Sequence, residues 1–168
     1  MNKYITRTIV LSITALLIFN LSCKDNSRDF EQEMAELKEF ILQKEAEGLI
    51  IDTAKTGIFY ILKNKGDGPT PQIGDTCYIS YQCYLLNGQL IEKSLDFYPP
   101  NGIWKFVFAP ADMITGLSAG INLMNTNCEM DIIIPSNLAY GEAGTANIRP
   151  YTTLIYVVKM HDLRVRKK

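Results

Sequence analysis

Residues 113–124 read MITGLSAGINLM and place apolar side chains at the spacing of an α-helix. These side chains are Met113, Ile114, Leu117, Ile121 and Met124. The rest of the region from residue 52 to residue 165 consists of β-branched and aromatic runs separated by turns, so this is the only helix that the pattern predicts there. The sequence therefore predicts an α+β domain over residues 52–165, in which a mainly antiparallel sheet wraps around one short helix.

The strands of this sheet are predicted at residues 57–63, 76–86, 104–108, 130–134 and 153–160. Asn87-Gly88 directly follows the second run and is typical of a tight hairpin turn. Residues 65–71, which read KGDGPTP, are rich in glycine and proline and predict a loop. Beyond residue 165, residues 166–168 form a basic tail.

The composition limits the classes of partner. The chain has 168 residues, of which 47% are hydrophobic and 21% charged, as in a globular domain with a short additional segment. Lys and Arg number 17 against 18 Asp and Glu, and the dense basic cluster is confined to the last five residues. This balance argues against a nucleic-acid-binding surface, so no nucleic acid partner is expected.

Histidine and cysteine usage limits the chemistry. A catalytic triad, a Cys–His pair or a multi-histidine metal site would have to use the single histidine, His161, which is predicted at the end of the last strand. Cys77, Cys83 and Cys128 lack metal-ligand spacing, and the first two would lie about 20 Å apart on one strand, beyond disulfide reach. We expect buried free thiols, no metal and no cofactor.

The first 22 residues have the pattern of a bacterial lipoprotein signal peptide. Lys3 and Arg7 precede an uncharged, mostly apolar stretch at residues 8–21, which is shorter than the about 20 residues that a membrane span needs. Cys23 follows the small residue Ser22, although Asn20 stands where such signals usually have leucine. The pattern predicts lipidation of Cys23 and anchoring in the cell envelope, at the outer membrane and facing the periplasm. The alternatives are an ordinary secretory peptide or an uncleaved anchor.

Residues 23–51 are predicted to form a lipid-anchored linker that contains an amphipathic helix at residues 29–47. Phe30, Met34, Leu37 and Ile41 recur every three to four positions, and Glu and Lys occupy most of the positions between them. Gly48 is a natural stop. This helix either serves as a stalk or self-association helix or packs back on its own domain, and the sequence does not separate these alternatives.

Several segments, in order, resemble the FKBP-type peptidyl-prolyl cis-trans isomerases over residues 57–163. They include the helix at residues 113–124, which is similar to the family's VIxGWxxG segment, IPSNLAYGE at residues 134–142 and IRPYTTLIY at residues 148–156. The resemblance implies isomerisation of X-Pro bonds in exported or envelope proteins, assisting their folding. With the N-terminal signal, the chain resembles the gliding-motility-associated FKBP lipoproteins. The alternatives are a non-catalytic proline-peptide binding or chaperone module, and a structural part of an envelope assembly.

The resemblance also implies a set of site residues. The catalytic group comprises Tyr140, whose hydroxyl would reach the carbonyl before proline, Ile114, whose N–H would bind a substrate carbonyl, Glu92 and Tyr81. The substrate-binding group comprises Ile91, Trp104, Met113, Leu117, Ile148 and Tyr156. The implied partners are proline-containing polypeptides, with a macrolide as a further ligand.

Three segments depart from the family pattern, at four positions. Ile91 and Glu92 stand where the family has an aromatic residue and a shorter acid, and Leu117 replaces the tryptophan of the pocket floor. Arg149 replaces the first proline of the last motif. These changes are expected to weaken macrolide binding and to lower catalytic efficiency. The loop at residues 96–101, which reads DFYPPN, is longer than usual. It would cover the site, contact partners or simply extend a hairpin.

Overall fold

A seven-stranded antiparallel sheet organises the computed structural model, which describes residues 29–167. The strands are β1 (Asp52–Thr53), β2 (Phe59–Asn64), β3 (Thr76–Leu85), β4 (Leu90–Lys93), β5 (Trp104–Val107), β6 (Glu129–Ile134) and β7 (Leu154–Arg164). Their order is β1-β2-β6-β7-β3-β4, and β5 also pairs with β3. The predicted signal peptide and Cys23 lie outside the described residues. Within residues 29–167, no helix is both long and apolar enough to cross a membrane.

Strand β3 has the most partners in the sheet, because β4, β5 and β7 all pair with it. β7 runs along its whole length, while β4 pairs with Gln82–Tyr84 and β5 with Thr76–Ile79 on the opposite edge. The segment between β4 and β5 therefore projects from one edge of β3. The register of β4 shifts so that Glu92 lies opposite Cys83 and Leu90 opposite Tyr84, which leaves Ile91 as the extra residue of a β-bulge.

The helices differ from the prediction in number. They are α1 (Phe30–Ala46), α2 (Ser94–Phe97) and α3 (Thr115–Ile121), and 3₁₀ turns occur at Pro110–Asp112 and Ser136–Leu138. The expectation of a single helix between residues 52 and 165 was wrong, because α2 is one turn long and too short to show a periodic pattern. α3 is also shorter than predicted, since Ile114 adopts extended backbone angles and serves as its N-cap.

Helix α3 packs on the inner face of the sheet. A Cβ atom at Gly116 would overlap Ile134, and one at Gly120 would overlap Ile132, so these two glycines let the helix backbone approach β6 closely. The apolar core lies between them and includes Ile121, Met124 and the inward residues of β3, β6 and β7. The predicted arrangement of a sheet around a short helix is confirmed.

Helix α1 packs on the outer face, which the sequence left undecided. Because side chains alternate along a strand, Ile133 points away from α3, yet it is fully buried. Leu37 of α1 is 1% exposed, and Phe40 lines a cleft of about 440 Å³ together with Ile61 and Ile133. The helix therefore folds back on its own domain. Self-association remains a prediction, and Phe30 and Leu42, which are 47% and 56% exposed, are the side chains available for it.

The structure also locates the three described cysteines and the single histidine. Cys77, Cys83 and Cys128 are buried free thiols, as predicted. His161 lies inside β7 rather than at its end, because the strand continues to Arg164. Its Nε2 atom is 2.8 Å from the Ser80 hydroxyl, and burial lowers its pKa.

Candidate active site

A cleft of about 150 Å³ opens beside the N-terminus of α3. It is lined by Tyr81, Glu92, Trp104, Met113, Ile114, Leu117, Tyr140 and Tyr156. The sequence motifs that supply these residues are as much as 75 positions apart, and β3, β4, β5 and β7 bring them together. Eight of the ten site residues that the family resemblance implies therefore line one cleft in the structure.

The walls of the cleft are aromatic. The ring of Tyr81 meets Trp104 edge-on at 6.1 Å between centroids and lies 5.6 Å from the ring of Tyr156. Edge-to-face contacts at these distances are favourable for aromatic pairs and limit the rotamers that each ring can adopt. The walls are consequently rigid and apolar, as a site that excludes water requires.

Polar groups occupy one side of the cleft. The Tyr156 hydroxyl donates to Glu92 Oε1 at 3.4 Å, a long hydrogen bond. Burial raises the pKa of Tyr156, and the neighbouring Cys83 and Glu92 add to the effect. Burial and Glu92 likewise raise the pKa of Tyr140. Both tyrosines therefore keep their protons at neutral pH and act as hydrogen-bond donors.

Tyr140 and Ile114 present the donors that a ligand can reach. The Tyr140 side chain is 36% exposed, because it follows the 3₁₀ turn at Ser136–Leu138 and precedes Gly141, whose φ is +60°. Ile114 caps α3, and within residues 29–167 no atom accepts a hydrogen bond from its N–H. A backbone donor and a hydroxyl donor thus border one apolar cleft.

Leu117 lies at the floor and is 5% exposed. It belongs to the first turns of α3, and the close approach of Gly116 to Ile134 fixes its depth below the cleft. Its side chain is smaller than the tryptophan of the family motif, and the resulting cleft is still only about 150 Å³. That volume is smaller than the about 300–1,000 Å³ of pockets for drug-sized ligands, so it matches one small ring.

Comparison with known protein families matches residues 68–161 to the FKBP-type peptidyl-prolyl cis-trans isomerases. The chain belongs to this family. The matched region contains every residue that lines the cleft. Helix α1 precedes the matched region and lies outside it.

Two FKBP-type relatives illustrate the similarity. The FKBP-type peptidyl-prolyl cis-trans isomerase FkpA of Escherichia coli K12 is 28% identical over 118 residues, which is 70% of this chain and 42% of the relative. The probable FkpA of Neisseria meningitidis serogroup B is 31% identical over 111 residues, 66% of this chain and 39% of the relative. The chain thus spans less than half the length of these relatives.

Solved structures support the fold. The crystal structure of Escherichia coli FkpA has a TM-score of 0.65 at 20% identity and covers 98% of this chain and 74% of that one. A peptidyl-prolyl cis-trans isomerase from Pseudomonas syringae has a TM-score of 0.67 at 20% identity, covering 83% and 99%. The predicted FKBP-like α+β fold is confirmed.

Two of the implied FKBP site residues do not line the cleft. Ile91 occupies the β4 bulge and packs against the apolar core. Ile148 is 8% exposed, and its N–H donates to Thr145 Oγ1, which holds it in the core beside a separate cleft near Arg149. A sequence motif shows which residue type occupies a position, but it does not show in which direction a bulge or a turn points the side chain.

Sequence reasoning missed two neighbours of the FKBP cleft. Tyr98 stacks on the Trp104 ring at 6.0 Å with 9° between the planes, so it extends the aromatic wall from the long loop. Cys83 lies beneath Tyr156, and burial raises the pKa of its thiol to about 12. The aromatic residues of DFYPPN were the available signal for Tyr98. Within the described residues, no cluster of three or more His, Cys, Asp or Glu side chains could hold a metal ion.

Proposed function

We propose that this protein is a peptidyl-prolyl cis-trans isomerase that acts on X-Pro bonds of exported or envelope proteins and assists their folding. The observation that carries the proposal is the pair of donors, Ile114 N–H and Tyr140 hydroxyl, at the border of a small aromatic cleft. Membership of the FKBP-type family supports the same reaction class.

The reaction needs an environment rather than a reactive side chain. The X-Pro bond rotates over a barrier of about 18–20 kcal/mol because amide resonance resists twisting. A twisted amide has a weaker dipole than a planar one, so an apolar cleft favours it relative to water. Lowering the barrier by about 5 kcal/mol gives a rate increase of roughly 10³–10⁴. No nucleophile or metal is required for that step.

Each part of the cleft has a role in this scheme. The proline ring enters the cleft above Leu117 and packs against the wall that Tyr81 and Trp104 form, and the small volume admits one such ring. The Ile114 N–H binds one substrate carbonyl and fixes the chain direction. The Tyr140 hydroxyl donates to the carbonyl before proline, whose orientation changes as the amide rotates. Glu92 accepts from Tyr156 and holds that ring at the base of the cleft.

Anchoring in the cell envelope completes the proposal. Lipidated Cys23 would hold the domain at the outer membrane facing the periplasm, where exported proteins fold. Helix α1 begins seven residues after Cys23 and packs on the domain, so the short linker would keep the domain near the membrane surface. A role in gliding motility is proposed only from the resemblance of the N-terminal region to lipoproteins of that type.

A prolyl-isomerisation assay on the full-length chain in detergent micelles tests the activity. Turnover well above the uncatalysed rate is expected, and Tyr140→Phe should reduce it because the hydroxyl donor is lost. Tyr84→Phe is the matched control, since its hydroxyl bonds Gln82 outside the cleft. Absence of turnover in the natural protein would refute the enzyme, and equal activity of both variants would refute the role of Tyr140.

A non-catalytic module that binds proline peptides is the second candidate, and Leu117 in place of the tryptophan favours it. In that case the natural chain binds a proline peptide without turnover, and Leu117→Trp gains activity. A macrolide that occupies the cleft would compete with the peptide, weakly because Leu117 offers less contact.

A structural role through self-association of α1 is the third candidate. The exposed Phe30 and Leu42 side chains favour it. Sedimentation of the natural chain and of the Phe30→Ser, Leu42→Ser variant in the same detergent tests it. Identical sedimentation would exclude association through this face.

A further inference from the structure

The buried carboxylate of Glu33 makes polar contacts that join α1 to the β domain. Glu33 is fully buried. It accepts hydrogen bonds from Ser136 and Thr153, which lie 103 and 120 residues further along the chain. Its Oε1 atom accepts from the Ser136 N–H at 2.7 Å and from the Thr153 hydroxyl at 2.6 Å. Its Oε2 atom accepts from the Ser136 hydroxyl at 2.5 Å.

The donors of Glu33 lie shortly before two of the cleft tyrosines, Tyr140 and Tyr156, in the chain. Ser136 opens the 3₁₀ turn that leads to Tyr140, and Thr153 directly precedes β7, which carries Tyr156. The Ser136 carbonyl also accepts from the Ala139 and Gly141 N–H groups, both at 2.8 Å. Those two amides flank Tyr140, so the residue that Glu33 holds also ties the turn that presents the Tyr140 hydroxyl.

We propose that Glu33 is a positioning residue, which fixes the Tyr140 turn relative to Tyr156 and thereby makes α1 part of the functional site. This inference rests on the proposed isomerase function for its catalytic consequence, but the geometry stands apart from turnover. Burial of a carboxyl group is costly unless hydrogen bonds satisfy its oxygens, as Ser136 and Thr153 do here. Removing it leaves the Ser136 N–H and two hydroxyls without their acceptor in a buried place, which favours opening of the turn to water.

The experiment measures amide hydrogen exchange and kcat/KM on the full-length chain in detergent micelles. In Glu33→Ala, exchange of the Ala139 and Gly141 amides should rise by about tenfold and kcat/KM should fall by a similar factor. The Phe108 amide, which donates to the Asp75 carbonyl, reports on the rest of the sheet and should keep its rate.

Three further variants distinguish a specific effect from a simple loss of the fold. Glu39→Ala removes the same side chain from an exposed position of α1 and should change neither measurement. Thr153→Val keeps the shape of the side chain but loses one donor, so it should show a smaller version of the Glu33→Ala effect. Thr153→Ser restores the hydroxyl and should restore the natural values.

Two results would overturn the inference. One is unchanged exchange at Ala139 and Gly141 in both Glu33→Ala and Thr153→Val. The other is an equal rise at Phe108, which would mean that Glu33 only stabilises the fold. If the natural protein shows no turnover, the proposed function fails, and the exchange rates alone decide the role of Glu33.

Discussion

The two faces of the sheet are covered by helices that dock in different ways. On the inner face, Gly116 and Gly120 bring the α3 backbone against the apolar side chains of Ile134 and Ile132. On the outer face, α1 is held by Leu37 and by the hydrogen bonds of Glu33. The inner contact is continuous and apolar, whereas the outer one depends on a few positions.

This difference suggests that the two layers have different stabilities. Close packing of apolar groups on α3 makes it part of the core, and the cleft is built directly on its first turn. Only Glu33 and Leu37 are buried among the 17 residues of α1, whereas five of the seven residues of α3 are buried. The α1 layer is therefore expected to open on its own before the sheet unfolds. The predictions below test this division, in decreasing order of the expected effect.

The largest effect is expected from truncating one buried side chain on each face. Ile121→Ala and Leu37→Ala should each cost about 2–5 kcal/mol, because both residues are almost completely buried. For Ile121 the loss should appear in the global free energy of unfolding in urea. For Leu37 it should appear mainly as faster amide exchange within α1.

The comparison fails if Leu37→Ala lowers the global unfolding free energy as much as Ile121→Ala does. That result would show that α1 unfolds together with the sheet. Leu42→Ala, at a position 56% exposed on the same helix, serves as the control and should change neither quantity appreciably.

The two faces also differ in how far the sequence predicts them. Apolar spacing was enough to predict α1, α3 and five of the strands, because burial of one face imposes that spacing. It could not predict the burial of Glu33, since an acid among the many Glu and Lys residues of α1 is expected to face solvent. Its partners Ser136 and Thr153 are over 100 positions away, and only the tertiary structure brings them to it.

The sequence predicted those cleft residues that belong to a recognisable motif. Tyr140, Ile114 and Leu117 lie in such motifs and line the cleft. Ile91 does not line it because a bulge shifts its position, and Tyr98 was missed because it belongs to a loop without a motif. Bulges and loop lengths decide side-chain direction, and neither has a periodic signature.

A smaller loss is expected from a single added methyl group on the inner face. Gly116→Ala should destabilise the protein by about 1–3 kcal/mol, since the new Cβ overlaps Ile134 near its branch point, where it cannot move aside. In Gly120→Ala the first overlap is with the end of the Ile132 side chain, so the cost should be lower. Urea unfolding measures both.

The matched control for this overlap is a double substitution. Ile132→Val removes the terminal methyl group that Gly120→Ala meets, so the double variant should recover stability relative to the sum of the two single changes. Strict additivity would contradict the close approach of α3 to β6.

The buried thiols provide a pH-dependent test of the inner face. Burial raises the pKa of Cys77 and of Cys83 to about 12 from the ordinary value of 9.0. Above pH 9 the unfolded chain loses these protons while the folded chain keeps them, so stability falls as pH rises. Between pH 9 and pH 10 the two thiols together should cost about 2 kcal/mol in the free energy of unfolding.

Urea unfolding at pH 7, 9 and 10 measures this fall, and the Cys77→Ala, Cys83→Ala double variant should show less of it. The rate at which a thiol reagent modifies each cysteine, followed by peptide mapping, compares the opening of the two faces, because all three described cysteines belong to the core on the inner face. Ile121→Ala should speed their modification and Leu37→Ala should not. Equal acceleration in both variants would contradict separate layers.

The smallest effect is expected at the edge of the cleft, where function should change while both faces keep their stability. Tyr98→Ala removes a ring stacked on Trp104, a contact of the kind that contributes about 0.5–1.5 kcal/mol. If that ring orients Trp104 for the substrate, kcat/KM should fall by about two- to tenfold. Tyr98→Phe keeps the stacking and should retain activity. A fall in Tyr98→Phe equal to that in Tyr98→Ala would assign the effect to the hydroxyl. A loss of global stability would instead place Tyr98 in the core that supports α3.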